Sequence, residues 1–331
     1  MEESVWTPGK LLGFSGSYWG PLALHAGVKL DVFTALGRGE STAQALASRL
    51  KVSPRHLGAL LDALAALGLL KKSARGTSNT PLSRDMLCRS SPRYAGHIVL
   101  HHHHLASSWA RLDESVRKGR PLRRRSTRSR RAERESFLMG MFNLAMSVGP
   151  LIVPALPLAG RRHVLDLGGG PGTYSALMCR RFPGLKATVY DLAPSREFAR
   201  KTIRRFGMEK RVGFMAGDFL RQGIRGRYDA AWLSHILHGE GPQACLSIVK
   251  KAVAALEPGG VIMVHEFLLD DRKDGPLFPA LFSLNMLLGT SEGRAYSEGE
   301  IRELLASAGV RRIERLPLSL PNDSGVIVGW T

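Results

Sequence analysis

With 331 residues the chain is long enough for two domains, and an apolar fraction of 44% supports packed cores and argues against a disordered chain. Its three cysteines, Cys88, Cys179 and Cys245, are odd in number and far apart, which argues against a disulfide framework or a zinc site and favours a reducing cytoplasm. Residues 1–10 hold two acids and no apolar leader segment, and no run reaches the ~20 apolar residues of a membrane span, so an unprocessed soluble chain is expected. A net charge of +19 raises the question of nucleic acid.

In chain order, residues 11–36 carry an apolar helix pattern closed by Gly37 and Gly39. Ser41 or Thr42 then caps a helix to Leu50, and Ser53 with Pro54 starts another whose leucines share one face up to Leu67. A strand at Leu69 to Lys72, a turn at Gly76 and the sequence Asn79-Thr80-Pro81-Leu82 complete a winged-helix pattern. Its second helix offers Arg55, His56 and many alanines, a sparse set for reading base edges.

A long helix is expected from Tyr94 to Lys118. It includes His101 to His104, of which at most the pair 101 and 104 could share a metal on a helix. Residues 117–135 hold ten Arg or Lys against two Glu; without interleaved aromatics, this run is expected to be a solvated connection. A helix at Glu135 to Val148 places Met139, Phe142 and Met146 on one side, either as core or as a pocket roof.

From His163 to Asp191 the chain reads as a strand, a glycine turn, a helix from Thr173 to Arg181 and a second strand, which is one βαβ unit. The turn follows Asp166-x-Gly168-x-Gly170-x-Gly172, with Thr173 where a dinucleotide fingerprint would put its last glycine. Asp191 stands where a carboxylate accepts both ribose hydroxyls of an adenosine, and Asp166 could face a cationic group. An adenosine joined to a zwitterionic amino acid suits these residues better than a pyrophosphate, which points to S-adenosylmethionine (SAM).

The doubly wound pattern continues with a helix from Pro194 to Phe206, a strand from Arg211 to Met215, Gly217-Asp218-Phe219, a strand from Tyr228 to Ser234, and a helix from Pro242 to Leu256. After Glu257-Pro258-Gly259-Gly260 come a strand from Val261 to Phe267, helices at Pro276 to Leu288 and Ser297 to Ala308, and closing strands near 312–316 and 325–328. Asp191, Asp218, Ser234, His238 and Glu266 fall at carboxyl ends of strands, where ligands of such sheets lie. Adjacent strands would bring Glu266 to His238, letting the carboxylate orient an imidazole that takes a proton from a phenol. His235, nearer the strand end, is the rival base and is expected to pack.

These motifs, in this order, resemble the SAM-dependent small-molecule O-methyltransferases, as in the plant caffeic acid and animal acetylserotonin enzymes. LDVFTALGRGESTAQALASRL, NTPLS, LDLGGGPGTYS, YDL, GDFL, LSHILH, LEPGGVIMVHE and SLNMLL carry the resemblance across nearly the whole chain. It implies an α/β, class I Rossmann-like catalytic domain at 151–331, preceded by a mainly helical winged-helix dimerisation domain at 1–100 and linking helices at 101–150. It also implies a homodimer whose N-terminal helix borders the partner's pocket. By the same resemblance Gly168, Gly170, Asp191 and Leu192 would hold methionine and ribose, Asp218 and Phe219 the adenine, and Ser234 a further cofactor contact. His238 would be the base and Glu266 one of two flanking acids, while Met139, Phe142, Met146, Phe282 and Asn285 would line the acceptor pocket.

Three features depart from the family. Gly239-Glu240 replaces Asp-Trp after His238, Ala295 stands at the second flanking acid, and the Arg-rich run is unusual. The first two leave room for an acidic acceptor or for methylation at carbon. A SAM-sensing, DNA-binding regulator and an RNA methyltransferase are the alternatives from other classes. The latter lacks an Asn-Pro-Pro-Tyr motif and a catalytic cysteine motif, so a small-molecule acceptor is expected, not nucleic acid.

Overall fold

The computed structural model describes residues 6–331. The two acids of the opening segment, Glu2 and Glu3, lie outside the described residues. Contacts divide the chain into two units, one ending at Ala106 and one running from Ser107 to Thr331.

The first unit contains α1 (Pro8–Ser15), α2 (Trp19–Lys29), α3 (Val32–Leu36), β1 (Glu40–Ser41), α4 (Ala43–Leu50), α5 (Pro54–Ala66), β2 (Leu70–Ser73), β3 (Gly76–Asn79) and α6 (Pro81–Met86), and most of α7 (Gly96–Trp109). The single apolar pattern at 11–36 is thus three helices, broken at Gly16 and at Asp31, whose φ of 61° no helix accepts. Thr42 caps α4 through Ala45 N–H, and Pro54 opens α5. The strands order as β1-β3-β2, the wing expected from the sequence. Val32, Phe33, Leu46, Leu61 and Leu64 form its core.

The second unit begins with α8 (Leu112–Lys118) and α9 (Arg131–Ile152). The helix expected over 94–118 is therefore two helices. Arg111 leaves the helical region (φ −122°, ψ 25°), and Asp113 and Glu114 favour a fresh start in the next turn. The helix expected at 135–148 runs longer at both ends. No charge falls between Glu135 and Arg161, and by length and composition α9 could cross a membrane, which corrects the expectation that no segment could. Its buried face, including Leu138, Phe142 and Ile152, packs within this unit.

There follow β4 (His163–Leu167), α10 (Thr173–Arg181), β5 (Lys186–Asp191), α11 (Arg196–Arg205), β6 (Val212–Ala216), β7 (Tyr228–Ser234), α12 (Pro242–Ala254) and β8 (Leu256–Leu269). The chain closes with α13 (Leu277–Gly289), β9 (Tyr296–Ser297), α14 (Glu298–Ser307), β10 (Arg312–Arg315) and β11 (Ser324–Trp330). The main path of the sheet is β10-β11-β8-β7-β4-β5-β6, in which only β11 runs against the others. Its strand order reverses between β4 and β7, and the carboxyl ends of strands at such a reversal form a crevice. Apolar runs such as Ala230 to Leu233 and Val261 to Val264 suit a sheet covered on both faces. The Glu257 to Gly260 segment lies within β8 and takes up a register shift opposite Tyr228 and Ala230.

Candidate active site

The glycine turn sits at the tip of β4. Gly168, Gly170 and Gly172 have φ of 69°, 51° and 69°, a region that costs other residues strain. A Cβ on Gly168 would come within 2.5 Å of Ile236 Cγ2 and 3.4 Å of the Phe219 ring, so the turn packs closely against those two residues. Asp191 ties the unit together. One carboxylate oxygen accepts from Gly170 N–H (2.8 Å), the other from Leu192 N–H (2.6 Å) and the Ser195 hydroxyl (2.8 Å). Three donors leave part of its capacity free, since a carboxylate offers about four lone-pair sites. Burial raises its pKa, against the pull of those donors. Asp166 lies beneath the turn, 1% exposed, and accepts from the Ser175 hydroxyl at 2.6 Å. Burial pushes its carboxyl up to about 7 despite that bond. A glycine turn in the left-handed region, beside a carboxylate with an acceptor site still free at the next strand end, fits the amino-acid and ribose parts of SAM.

Asp218 follows β6 and accepts from Leu220 N–H. Phe219 packs at the edge of the core. Ser234 ends β7 in register with His265 and lies 3.0 Å from its Nδ1.

Glu266 is 1% exposed and lies three residues before the end of β8. One of its oxygens accepts from the backbone N–H of Leu237 (2.9 Å) and of His238 (3.3 Å); the other lies 2.7 Å from His238 Nδ1. Burial opposes its charge, but the attraction of His238 and His235 and the hydrogen bond with His238 outweigh that and hold the carboxyl far below the usual range. An ionised carboxylate only accepts, so His238 carries its proton on Nδ1 and keeps a lone pair on Nε2. His235 Nδ1 also approaches Glu266, at 3.5 Å, and burial lowers its pKa. With φ of 56° its ring packs on Phe267 and on His265, each at 4.3 Å, within the same cluster. Both Nδ1 atoms and the carboxylate lie within 4.8 Å of one another, as a metal would need, but His238 Nδ1 is committed as a donor to Glu266.

Aromatic rings cover this dyad. Phe282 meets His238 edge-on at 4.8 Å and Phe267 at the same distance, and Phe278 adds a third ring. Sequence reasoning missed Phe267 and Phe278, although Phe278, Phe282 and Asn285 recur at the spacing of one helical face. Asn285 is engaged by Arg123, whose Nη2 donates to its backbone oxygen (2.9 Å) and to its Oδ1 (3.0 Å). Phe142 is buried under the Arg205 guanidinium, and Met146 packs on the core; Met139 is partly buried on the same helix. Ala295 is buried and donates its N–H to Ser283, whereas Gly293 abuts the backbone of His238, where a Cβ would come within 2.6 Å.

Much of the Arg-rich run is exposed, as expected of a solvated connection, but Arg123 and Arg125 are not. Arg125 donates to both oxygens of Glu240 and, at 2.7 Å, to Gly239 O, gripping the turn that carries His238. Leu122 and Arg123 donate their backbone N–H groups to Leu288 O. Nothing in composition alone distinguishes these arginines from their exposed neighbour Arg124.

The chain matches the O-methyltransferase domain family over residues 109–311 and the O-methyltransferase dimerisation domain over 12–89. It is 31% identical over 328 residues to a 3-hydroxy-5-methyl-1-naphthoate 3-O-methyltransferase of Streptomyces sahachiroi, covering 97% of this chain and 95% of that protein. It is 32% identical to the tetracenomycin polyketide synthesis 8-O-methyltransferase of Streptomyces glaucescens, covering 96% of each. Its fold is similar to the crystal structure of human N-acetylserotonin methyltransferase in complex with SAM, with a TM-score of 0.87, 27% identity, and 100% and 99% of the two chains covered.

Proposed function

This chain belongs to the SAM-dependent O-methyltransferases, and from that premise we propose that His238 is its general base, oriented by Glu266, for a hydroxyl on a small aromatic acceptor. The 2.7 Å contact between His238 Nδ1 and Glu266 carries the reading, because it fixes the tautomer and frees Nε2 beside the rings of Phe267 and Phe282. SAM, when bound, supplies an electrophilic methyl group on a sulfonium. Asp191 and the glycine turn would hold it, with Gly168, Gly170, Leu192, Asp218, Phe219 and Ser234 around it and Asp166 beneath. His238 Nε2 takes the proton from the acceptor hydroxyl, and Glu266 stabilises the imidazolium that results. Help of this kind is worth ~10²- to 10⁴-fold in rate. Phe267, Phe278 and Phe282 favour a flat aromatic ring through edge and offset contacts. One relative is named for a hydroxynaphthoate, an aromatic compound, which supports the same acceptor class here.

A homodimer formed through the N-terminal domain belongs to this proposal, supported by the match to the dimerisation domain. So does a reducing cytoplasm, supported by three buried, unpaired cysteines. The test is a screen of labelled methyl transfer from SAM to aromatic hydroxyl compounds, with identification of the methylated atom. Methyl on oxygen is expected; methyl on carbon would favour the sister chemistry.

A further inference from the structure

Two arginines of one short segment have opposite electrostatic fates. Arg125 is met by both oxygens of Glu240. Arg123, two residues earlier, is met by no carboxylate among the described residues. Its Nη2 rests on the neutral oxygens of Asn285, and its Nε is withdrawn from solvent with no hydrogen-bond partner. Its Nη1 lies against Gly289, where a Cβ would come within 2.5 Å. A guanidinium so placed is partly withdrawn from water without gaining a counter-charge, and charges taken out of water are normally paired.

The position of this cation matters. Phe278, Phe282, Asn285 and Gly289 follow one another at steps of four, three and four, which lays them along one face of α13. Phe282 touches His238, and Arg123 sits against Asn285 and Gly289. At 1.5 Å per residue that puts the guanidinium about 5 to 10 Å along the helix from the ring beside the base. A bicyclic aromatic spans such a distance. Planar guanidinium groups pair best with planar, two-oxygen anions.

We infer that the acceptor is a hydroxylated aromatic carboxylate, whose carboxylate pairs with Arg123 while its hydroxyl faces His238. This rests on the reading of His238 as base, and the binding arm below tests it without turnover. The carboxylate supplies the missing counter-charge, and it fixes which hydroxyl of a polyhydroxylated ring reaches Nε2.

The experiment compares 6-methoxy-2-naphthoate with 2-methoxynaphthalene, together with the matching benzene pair, by calorimetry on the full chain with S-adenosylhomocysteine present. The wild type is expected to bind at least one carboxylate ~10-fold or more tightly than its uncharged ring, since a charge-assisted pair is worth that much. Arg123→Gln is expected to erase that preference while leaving the affinity for the uncharged ring within about twofold, and Arg123→Lys to restore part of it. Equal affinities in the wild type, no binding by any carboxylate, or a preference that survives Arg123→Gln would overturn the inference. If Arg123→Gln weakens charged and uncharged ligands alike, the residue only braces α13, and the inference fails in that case too. Methylation of 6-hydroxy-2-naphthoate, measured alongside with His238→Ala, reports separately on the base.

Discussion

On the cofactor side, Asp166, Gly168, Gly170, Asp191 and Ser195 come from one stretch of thirty residues, where Asp191 accepts from the Gly170 main chain and the Ser195 hydroxyl. On the acceptor side, His238 is held by Glu266 twenty-eight residues away, Glu240 by Arg125 across 115, and Asn285 by Arg123 across 162. The first is a local device that tolerates little change in spacing. The second is a set of long-range clamps in which each member can change with its partner. Glu240, with Arg125 closing on it, is such a clamp.

The contrast makes the two sides separable, and substitutions should respect the division. Asp191→Ala should weaken SAM binding by about 100-fold, as loss of charge-assisted hydrogen bonds implies, and leave the affinity for an acceptor unchanged. Calorimetry with each ligand alone checks it, and an acceptor affinity that fell in step would break the separation. Glu266→Gln should lower kcat by about 10- to 100-fold, part of the full value of a base, with the SAM dissociation constant within about twofold. Arg125→Gln leaves Glu240 uncompensated, and kcat should fall by about 3- to 10-fold through the turn that carries His238; Arg124→Gln, on an exposed neighbour, should not change it. The smallest effect is one of pH. The raised pKa of Asp166, about 7, stabilises the cofactor-free fold when the carboxyl is protonated. That contribution is complete below the ordinary aspartate range and is lost as pH rises through about 7. The melting temperature should therefore fall by a few degrees between about pH 6 and 8, and Asp166→Asn should flatten that fall.

The same division explains what could be read from the chain alone. Glycines at fixed steps, a strand ending on Asp191 and the apolar runs of β4 and β7 are local signals, and the structure puts those elements at the expected residues. The pairing of His238 with Glu266 was legible because parallel neighbouring strands bring their tips together. Arg123 and Arg125 were not, since charge density says nothing of which guanidinium meets a carboxylate across more than a hundred residues. The helix at 94–118 was overextended because a continuing apolar pattern hides a restart at Arg111. Phe142 and Met146 share a face, as their spacing requires, yet that spacing could not tell core from pocket.

The central claim is that His238 removes the acceptor's proton beside a cofactor gripped independently of it. A single-turnover measurement on His238→Ala, with SAM saturating and a phenolic acceptor the wild type methylates, tests this most directly. The account predicts a methyl-transfer rate lower by about 100-fold or more, with the SAM dissociation constant within about twofold of wild type. A transfer rate equal to that of the wild type would contradict it.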